Sequence, residues 1–367
     1  MPLPHWRRGD ERVLTVDKIR VMLSAEDRGT IGEENMHREV GHRVARMTRR
    51  VWSGVLVGGL VSLGVPSLAC AELKGLDIIA PANPGGGWDQ TARAIQTALQ
   101  ADKLASGVKV ENIGGAGGTI GLAQFVSGRG KKGDAILVGG LVMEGAILTN
   151  KSPVTLANVT PLARLTGEYE LVVVPADSPL KSMADLVAKL KADPGAVSWG
   201  GGSAGGTDHI LAGLIAKAAG VDPTKVNYIA HSGGGEALSA ILGGHVTAGI
   251  SGYEEFAPQI AAGKLRGLAI SAEERVAGID IPTLKEQGVD VSLVNWRGLF
   301  AAKNLREKEL KALSDAVGKM VEGPAWQDTL KQRGWIDLYQ PADQFAAFLA
   351  EDQVKVETTL KAIGLVQ

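Results

Sequence analysis

Glycine-rich turns followed by apolar helix patterns are the segments of this chain best suited to chemistry. The first is residues 81–93, PANPGGGWDQTAR, which follows a short apolar run at 76–80. Its three consecutive glycines lack a Cβ, so the backbone can adopt positive φ and approach a ligand closely. A helix that begins at Trp88 or Asp89 leaves its first N–H groups without partners, and these donors favour an anion. The segment predicts anion binding by backbone amides, with Asp89 at the N-cap position.

The same order of strand, glycine turn and helix recurs along the chain. NIGGAGG at 112–118 precedes a helix opened by Thr119, GGGSAGG at 200–206 precedes one opened by Thr207, and HSGGG occupies 231–235. Shorter versions follow the apolar runs at 135–138 and 246–250. These turns carry almost no Lys or Arg, so an anionic ligand must be held by amides and hydroxyl groups.

The spacing of the turns predicts an α/β fold. Strands that alternate with helices build parallel sheets, and the turns that follow parallel strands lie along one edge, where ligands of open α/β sheets bind. We expect two lobes with their glycine edges facing each other and two crossing strands as a hinge. Lobe 1 is predicted at 72–174 and 295–367, and lobe 2 at 175–294. Within lobe 2, Ser182 and Asp185 fit a capping box.

Composition limits the classes of partner. A net charge of −1 argues against a nucleic-acid ligand, which needs a basic face. The single cysteine excludes a disulfide framework and a cysteine metal cluster. The histidines at 209, 231 and 245 lack the spacing of metal ligands, so neither a metal nor a cofactor is expected.

Two enzyme-like motifs coincide in the turn at 200–206. Residues 201–205 match G-x-S-x-G, which would make Ser203 the nucleophile of an exported hydrolase, but the later histidines follow it too closely for that topology. Gly200, Gly202 and Gly205 match a dinucleotide fingerprint, but the acidic residue expected after the next strand is missing. The hydrolase remains an alternative, and a test for hydrolysis of esters distinguishes it from a binding protein.

The N-terminal region has the layout of an export signal. Arg49 and Arg50 precede an apolar run at 51–65, and small residues at 69–71 offer a cleavage site after Ala71. We predict a signal peptide at 47–71 and an extension at 1–46 that precedes the natural start. The product is expected in the periplasm, with a lipid anchor at Cys70 as an alternative.

Five segments carry a family resemblance: residues 81–93, 112–121, 137–154, 199–220 and 228–258. Together they resemble the solute-binding receptors of tripartite tricarboxylate transporters, within the Bug family of exported binding proteins. The resemblance implies a type II periplasmic-binding-protein fold that closes around a carboxylated solute, held at 85–89 and 203–207 partly through water.

The resulting expectation is a monomeric, non-enzymatic receptor that captures a small di- or tricarboxylate such as citrate and delivers it to the permease subunits. A sensory carboxylate receptor is the other alternative. Tyr253 departs from many family members, which leaves the solute open. The predicted ligand contacts are Asn83, Gly85, Gly86, Gly87, Trp88, Asp89, Gly117, Thr119, Gly140, Ser203, Gly206, Thr207, His231, Ser232 and Tyr253.

Overall fold

The computed structural model describes residues 72–367. The predicted extension, signal peptide and Cys70 lie outside these residues. The strands are β1 (Leu73–Lys74), β2 (Asp77–Ala80), β3 (Ala105–Ser106), β4 (Lys109–Asn112), β5 (Ala135–Gly140), β6 (Val159–Pro175), β7 (Ser198–Gly201), β8 (Asn227–Ala230), β9 (Ala248–Gly252), β10 (Leu265–Ile270), β11 (Val294–Ala302) and β12 (Ile336–Pro341). The α-helices are α1 (Gly87–Ala101), α2 (Thr119–Gly128), α3 (Leu141–Thr149), α4 (Met183–Ala192), α5 (Thr207–Ala218), α6 (Gly234–Leu242), α7 (Tyr253–Ala261), α8 (Glu307–Glu322), α9 (Pro324–Arg333) and α10 (Ala342–Ala362).

One mixed sheet runs through the described chain in the order β4-β2-β5-β11-β6-β9-β7-β8, and β10 and β12 also pair with β6. The outer pairs β2–β4, β2–β5, β7–β8 and β7–β9 are parallel, as the alternation predicted. The central pairs β11–β5, β11–β6 and β6–β9 are antiparallel. The predicted α/β fold is therefore confirmed, with a mixed rather than mainly parallel centre.

The strand β6 belongs to both halves of the sheet. Its first part pairs with β11, where Glu168 lies opposite Asn295, and its last part pairs with β9, where Glu170 lies opposite Gly252. We call the half that contains β2, β5 and β11 lobe 1 and the half that contains β7, β8 and β9 lobe 2. The strands β6 and β11 adjoin at this junction, which fits the predicted hinge, although the residue bounds of the lobes stay a prediction.

Each lobe has its own hydrophobic core. In lobe 1, Trp296, Phe300 and Phe345 are fully or almost fully buried, and Trp296 packs edge-on against Phe345 with ring centroids 5.6 Å apart. In lobe 2, two smaller clusters surround Trp199 and Phe256. Burial of this apolar surface is the main stabilising contribution to each lobe.

The structure contains the helices that the sequence predicts from regular apolar spacing and from a capping box. Ala92, Ile95 and Leu99 form the buried face of α1, as their helical spacing requires. The predicted capping box of α4 is confirmed, since Ser182 accepts a hydrogen bond from the Asp185 amide and the Asp185 carboxylate accepts one from Ser182. Within residues 72–367, none of the helices combines the length and apolar character needed to cross a bilayer.

Candidate functional site

A cleft of about 420 Å³ lies between the two lobes, and residues from both lobes form its wall. Its lobe 1 wall comes from the turns before α1 and α2, and its lobe 2 wall from the turns before α5 and α6. The hinge strands β6 and β11 form its floor. The predicted contacts found in this wall are Gly86, Gly87, Trp88, Gly117, Ser203, Gly206, Thr207, His231 and Ser232.

No side chain caps the helices that begin at this cleft, a feature that they share with α3 and α9 elsewhere in the described chain. The N-caps of α1, α2, α5, α6 and α7 are all glycines without a side-chain hydrogen bond to the first turn, and all five line the cleft. The helix α4, whose N-cap is not part of the cleft wall, has a serine cap instead. The first N–H groups of a helix need partners from outside it. Five helix N-termini without side-chain caps therefore border one cleft, an arrangement that favours a bound anion.

The first glycine turn differs in detail from the sequence prediction. The N-cap of α1 is Gly86, at a φ of −75°, so Asp89 is the third residue of the helix and not its N-cap. Only Gly85 in this turn has a positive φ, of 88°. Gly87 is required for another reason, because a Cβ there would lie 2.3 Å from a guanidinium nitrogen of Arg297.

Asp89 holds this turn from behind the cleft wall. Its carboxylate accepts hydrogen bonds from the Gly85 amide at 2.8 Å, from Asn112 Nδ2 at 2.9 Å and from Arg93 Nε at 3.0 Å. Burial alone would raise the pKa of Asp89, but these hydrogen bonds outweigh it and hold the pKa below its usual value. The residue therefore positions the amide-bearing turn.

In lobe 2 the turn before α5 is fixed by two residues of its own helix. The Asp208 carboxylate accepts from the Gly202 amide at 2.7 Å, and His209 Nδ1 accepts from the Gly205 amide at 3.2 Å. The His209 ring stacks on Tyr228 with centroids 4.1 Å apart. Burial lowers the pKa of His209 to about 4, so the ring is the neutral acceptor that the Gly205 amide requires.

The remaining predicted contacts are not part of the cleft wall. Gly85 and Asp89 support the first turn, and the Asn83 carbonyl accepts from the Gly86 amide at 3.3 Å. Thr119 Oγ1 donates to the Ala116 carbonyl at 2.9 Å. Gly140 lies against the Trp296 carbonyl, and Tyr253 begins α7 next to Gly334. The ligand-binding role of each predicted contact stays a prediction.

The floor of the cleft contains charged residues that sequence reasoning did not single out. Arg297 of β11 forms a buried ion pair with Glu168 of β6 and lies 3.4 Å from Thr91 Oγ1. Burial and the positive charge of Arg333 lower the pKa of Arg297 to about 9, which leaves it protonated at neutral pH. The pair joins the two hinge strands.

Three further carboxyl groups line the floor, namely Glu170, Asp208 and Glu255. Burial, followed by the negative charges of its neighbours, raises the pKa of Glu170 well above its usual value. Burial likewise raises the pKa of Asp208 to about 7 and raises that of Glu255. In the sequence, Glu168 and Glu170 are two positions apart in a mainly apolar strand, so their side chains share one face. This spacing could have indicated an acidic floor.

Ser203 is not arranged as a nucleophile. Among the described residues, neither His209 nor His231 is hydrogen-bonded to Ser203. His209 Nδ1 accepts from the Gly205 amide, and His231 Nδ1 lies 3.1 Å from the Gly201 carbonyl. A hydrolytic serine needs such a ring within hydrogen-bond reach as its general base. The geometry does not support the hydrolase alternative.

Comparisons with known proteins agree with this arrangement. The profile of the family described as "Tripartite tricarboxylate transporter family receptor" matches residues 91–365. A UPF0065 protein of Cupriavidus necator is 32% identical over 266 residues, which are 71% of this chain and 79% of the relative.

Solved structures show the same fold. The periplasmic binding protein BugD is 22% identical with a TM-score of 0.72, over 80% of this chain and 98% of BugD. MatC from Rhodopseudomonas palustris, solved with bound malate, is 23% identical with a TM-score of 0.70, over 79% and 99% of the two chains. The chain therefore belongs to the receptor family of the tripartite tricarboxylate transporters, the Bug-type solute-binding proteins.

Proposed function

We propose that this protein is a periplasmic receptor that captures a small di- or tricarboxylate between its lobes and delivers it to the permease subunits of a tripartite transporter. The observation that carries the proposal is the set of five uncapped helix N-termini around one cleft. MatC, a protein of the same fold, binds malate, which is a dicarboxylate.

Backbone amides suit this task because they supply hydrogen bonds without mobile positive side chains. A carboxylate oxygen accepts several N–H groups, and such charge-assisted bonds are shorter and stronger than neutral ones. The donors approach from both lobes, so one ligand with carboxylates at two ends can contact both. Binding energy then favours the closed arrangement of the lobes.

The lobes meet at two places in this structure. Gly205 of lobe 2 lies against Thr149 and Gly145 of lobe 1. At the second place, Arg333 of lobe 1 forms an ion pair with Glu254 of lobe 2. A closed surface of this kind is what a permease can distinguish from the open receptor.

A direct test introduces a carboxylate side chain at the N-cap of one of these helices. Gly233, the N-cap of α6, has an extended backbone and open space around the position of a Cβ, so Gly233→Asp can cap the helix without strain. The new carboxylate should compete with the ligand and weaken binding of citrate or malate about tenfold or more, which corresponds to about 1.4 kcal/mol.

The matched control is Gly233→Ala, which adds the Cβ without the charge and should change affinity by less than about threefold. Isothermal titration calorimetry with citrate, malate and the uncharged malamide measures all three proteins. Equal binding by Gly233→Asp and the unmodified protein, or equal binding of malamide, would contradict the proposed amide site.

A further inference from the structure

The acidic floor contains buried acceptors that no protein donor satisfies. Glu170 has no exposed surface, and neither of its carboxyl oxygens has a hydrogen-bond partner among the described residues. Glu168, two residues earlier on the same face of β6, is neutralised by Arg297. Glu170 has no such cation, although it lines the same cleft.

The side chains around Glu170 supply more hydrogen-bond acceptors than donors. Asp208 and Glu255 are the nearby carboxyl groups, and each already uses one oxygen on the protein, for the Gly202 amide and for Ser251 Oγ at 2.7 Å. Their negative charges raise the pKa of Glu170 further, and the Asn295 side chain lowers it only in part. The floor thus carries more negative than positive charge.

Two other buried atoms in the same cleft, neither of them a carboxyl oxygen, lack partners. The Thr207 hydroxyl is 1% exposed and the Asn295 side chain 8% exposed, and both line the cleft. Thr207 Oγ1 and Asn295 Oδ1 have no hydrogen-bond partner among the described residues. The Thr207 hydroxyl can donate or accept, whereas Asn295 Oδ1 can only accept. Leaving a buried acceptor unsatisfied is unfavourable, so whatever fills the cleft is expected to donate hydrogen bonds to Asn295 Oδ1 and to Glu170.

A plain carboxylate supplies only acceptors and cannot do this. Within residues 72–367, no three Asp, Glu, His or Cys side chains converge closely enough to hold a metal ion. An organic donor on the solute itself, a hydroxyl or an ammonium group, can supply these hydrogen bonds. Closure of the lobes would bury that donor against the floor while the amides hold the carboxylates.

We infer that Glu170, with Thr207 and Asn295, forms a donor-recognising subsite, and that the solute is a small carboxylate bearing a hydroxyl or ammonium substituent. This inference rests on the proposed function, since the amide groups must hold the carboxylates. It narrows the class of solute, because an unsubstituted diacid leaves the floor unsatisfied. A site that hydrogen-bonds a polar group discriminates strongly against an analogue that lacks it.

The test uses acids with matched carbon skeletons. Titration calorimetry on the unmodified protein compares succinate with malate and aspartate, and tricarballylate with citrate. We expect the substituted acid of at least one series to bind about tenfold or more tightly than its unsubstituted partner. Whether malate or aspartate binds better distinguishes a hydroxyl from an ammonium donor.

The variant Glu170→Met removes both carboxyl oxygens and, with a thermal melt to confirm folding, should reduce this preference to less than about threefold. The control is Glu144→Met, since Glu144 is also buried and without partners for its carboxyl oxygens but lies outside the cleft wall. It should keep the full preference.

Equal binding of succinate and its substituted partners, with tricarballylate equal to citrate, would overturn the subsite and leave the proposed function intact. An unchanged preference in folded Glu170→Met would overturn it as well. Absence of binding by every acid would overturn both proposals. Because the matched acids are tested on the unmodified protein, the result does not depend on whether a variant folds.

Discussion

Gly145 of lobe 1 lies directly against the backbone of Gly205 in lobe 2, so that a Cβ added to Gly145 would be 2.0 Å from the Gly205 carbonyl oxygen. Gly205 itself has a φ of +75° and contacts Thr149. This backbone contact brings the turn before α5 against α3. Its closeness depends on the absence of a side chain at position 145.

Gly145→Ala is expected to weaken ligand binding about tenfold by opposing this approach of the lobes. The exchange replaces a glycine within α3, where Ala ordinarily stabilises a helix by about 0.5–1 kcal/mol. A loss of affinity would therefore not come from the helix itself. Calorimetry measures affinity, and small-angle X-ray scattering with and without malate measures compaction. Gly128→Ala is the control because nothing lies within 4 Å of its Cβ position. If Gly145→Ala binds and compacts like the control, closure does not use this contact.

Arg297→Met is expected to lower the free energy of unfolding by about 3–5 kcal/mol, because it leaves the buried Glu168 carboxylate without its cation. Urea unfolding followed by circular dichroism measures this loss. Combining it with Glu168→Met should restore part of the stability. The control is Arg129→Met, which breaks an exposed Arg–Glu pair with Glu111 and should cost about 1 kcal/mol or less. Similar losses for the two single variants would show that the hinge pair contributes no more than a surface pair.

The contribution of the buried Glu144 to the free energy of unfolding is expected to decrease as the pH rises from 5 to 8. Burial, with the nearby Asp352 charge, raises the pKa of Glu144 to about 9. A raised pKa means that the folded protein binds this proton more tightly than the unfolded chain. The stabilisation is complete below the unfolded value of 4.5 and is lost as the pH rises toward 9.

Glu144→Gln should remove this contribution, so the difference in unfolding free energy between variant and parent should change with pH by up to about 1.4 kcal/mol per unit. Urea unfolding at pH 5, 6.5 and 8 measures it, with exposed Glu351→Gln as the control. Parallel pH profiles for Glu144→Gln and the parent would refute the assignment.

Ligand binding is expected to change tryptophan emission through Trp88. Its ring lines the cleft and packs over Gly118, where a Cβ would lie 2.5 Å from it. Trp199, which also adjoins a glycine turn, is fully buried in the lobe 2 core and is not part of the cleft wall. Trp88→Phe should therefore abolish the response to malate or citrate and Trp199→Phe should retain it. The reverse pattern would place the ligand away from the first turn.

Local rules in the sequence determined most of the fold class. The alternation of apolar runs, glycine turns and helical spacing predicted the parallel outer strands, the capped α4 and the glycine turns that border the cleft. These features depend on neighbours within about one helix or strand, such as Ser182 and Asp185, so they can be read without the tertiary structure.

Only the tertiary structure decided the floor of the cleft and the role of Asp89. Glu168 and Arg297 are separated by 129 positions, and they meet because β6 and β11 are paired, with Glu168 opposite Asn295. Asp89 could be taken for an N-cap in the sequence, but its contact with Asn112 depends on the packing of β4 beside β2. The pairing of strands distant in the chain has no local sequence signature. They decide which polar groups are satisfied by the protein and which are left for a ligand.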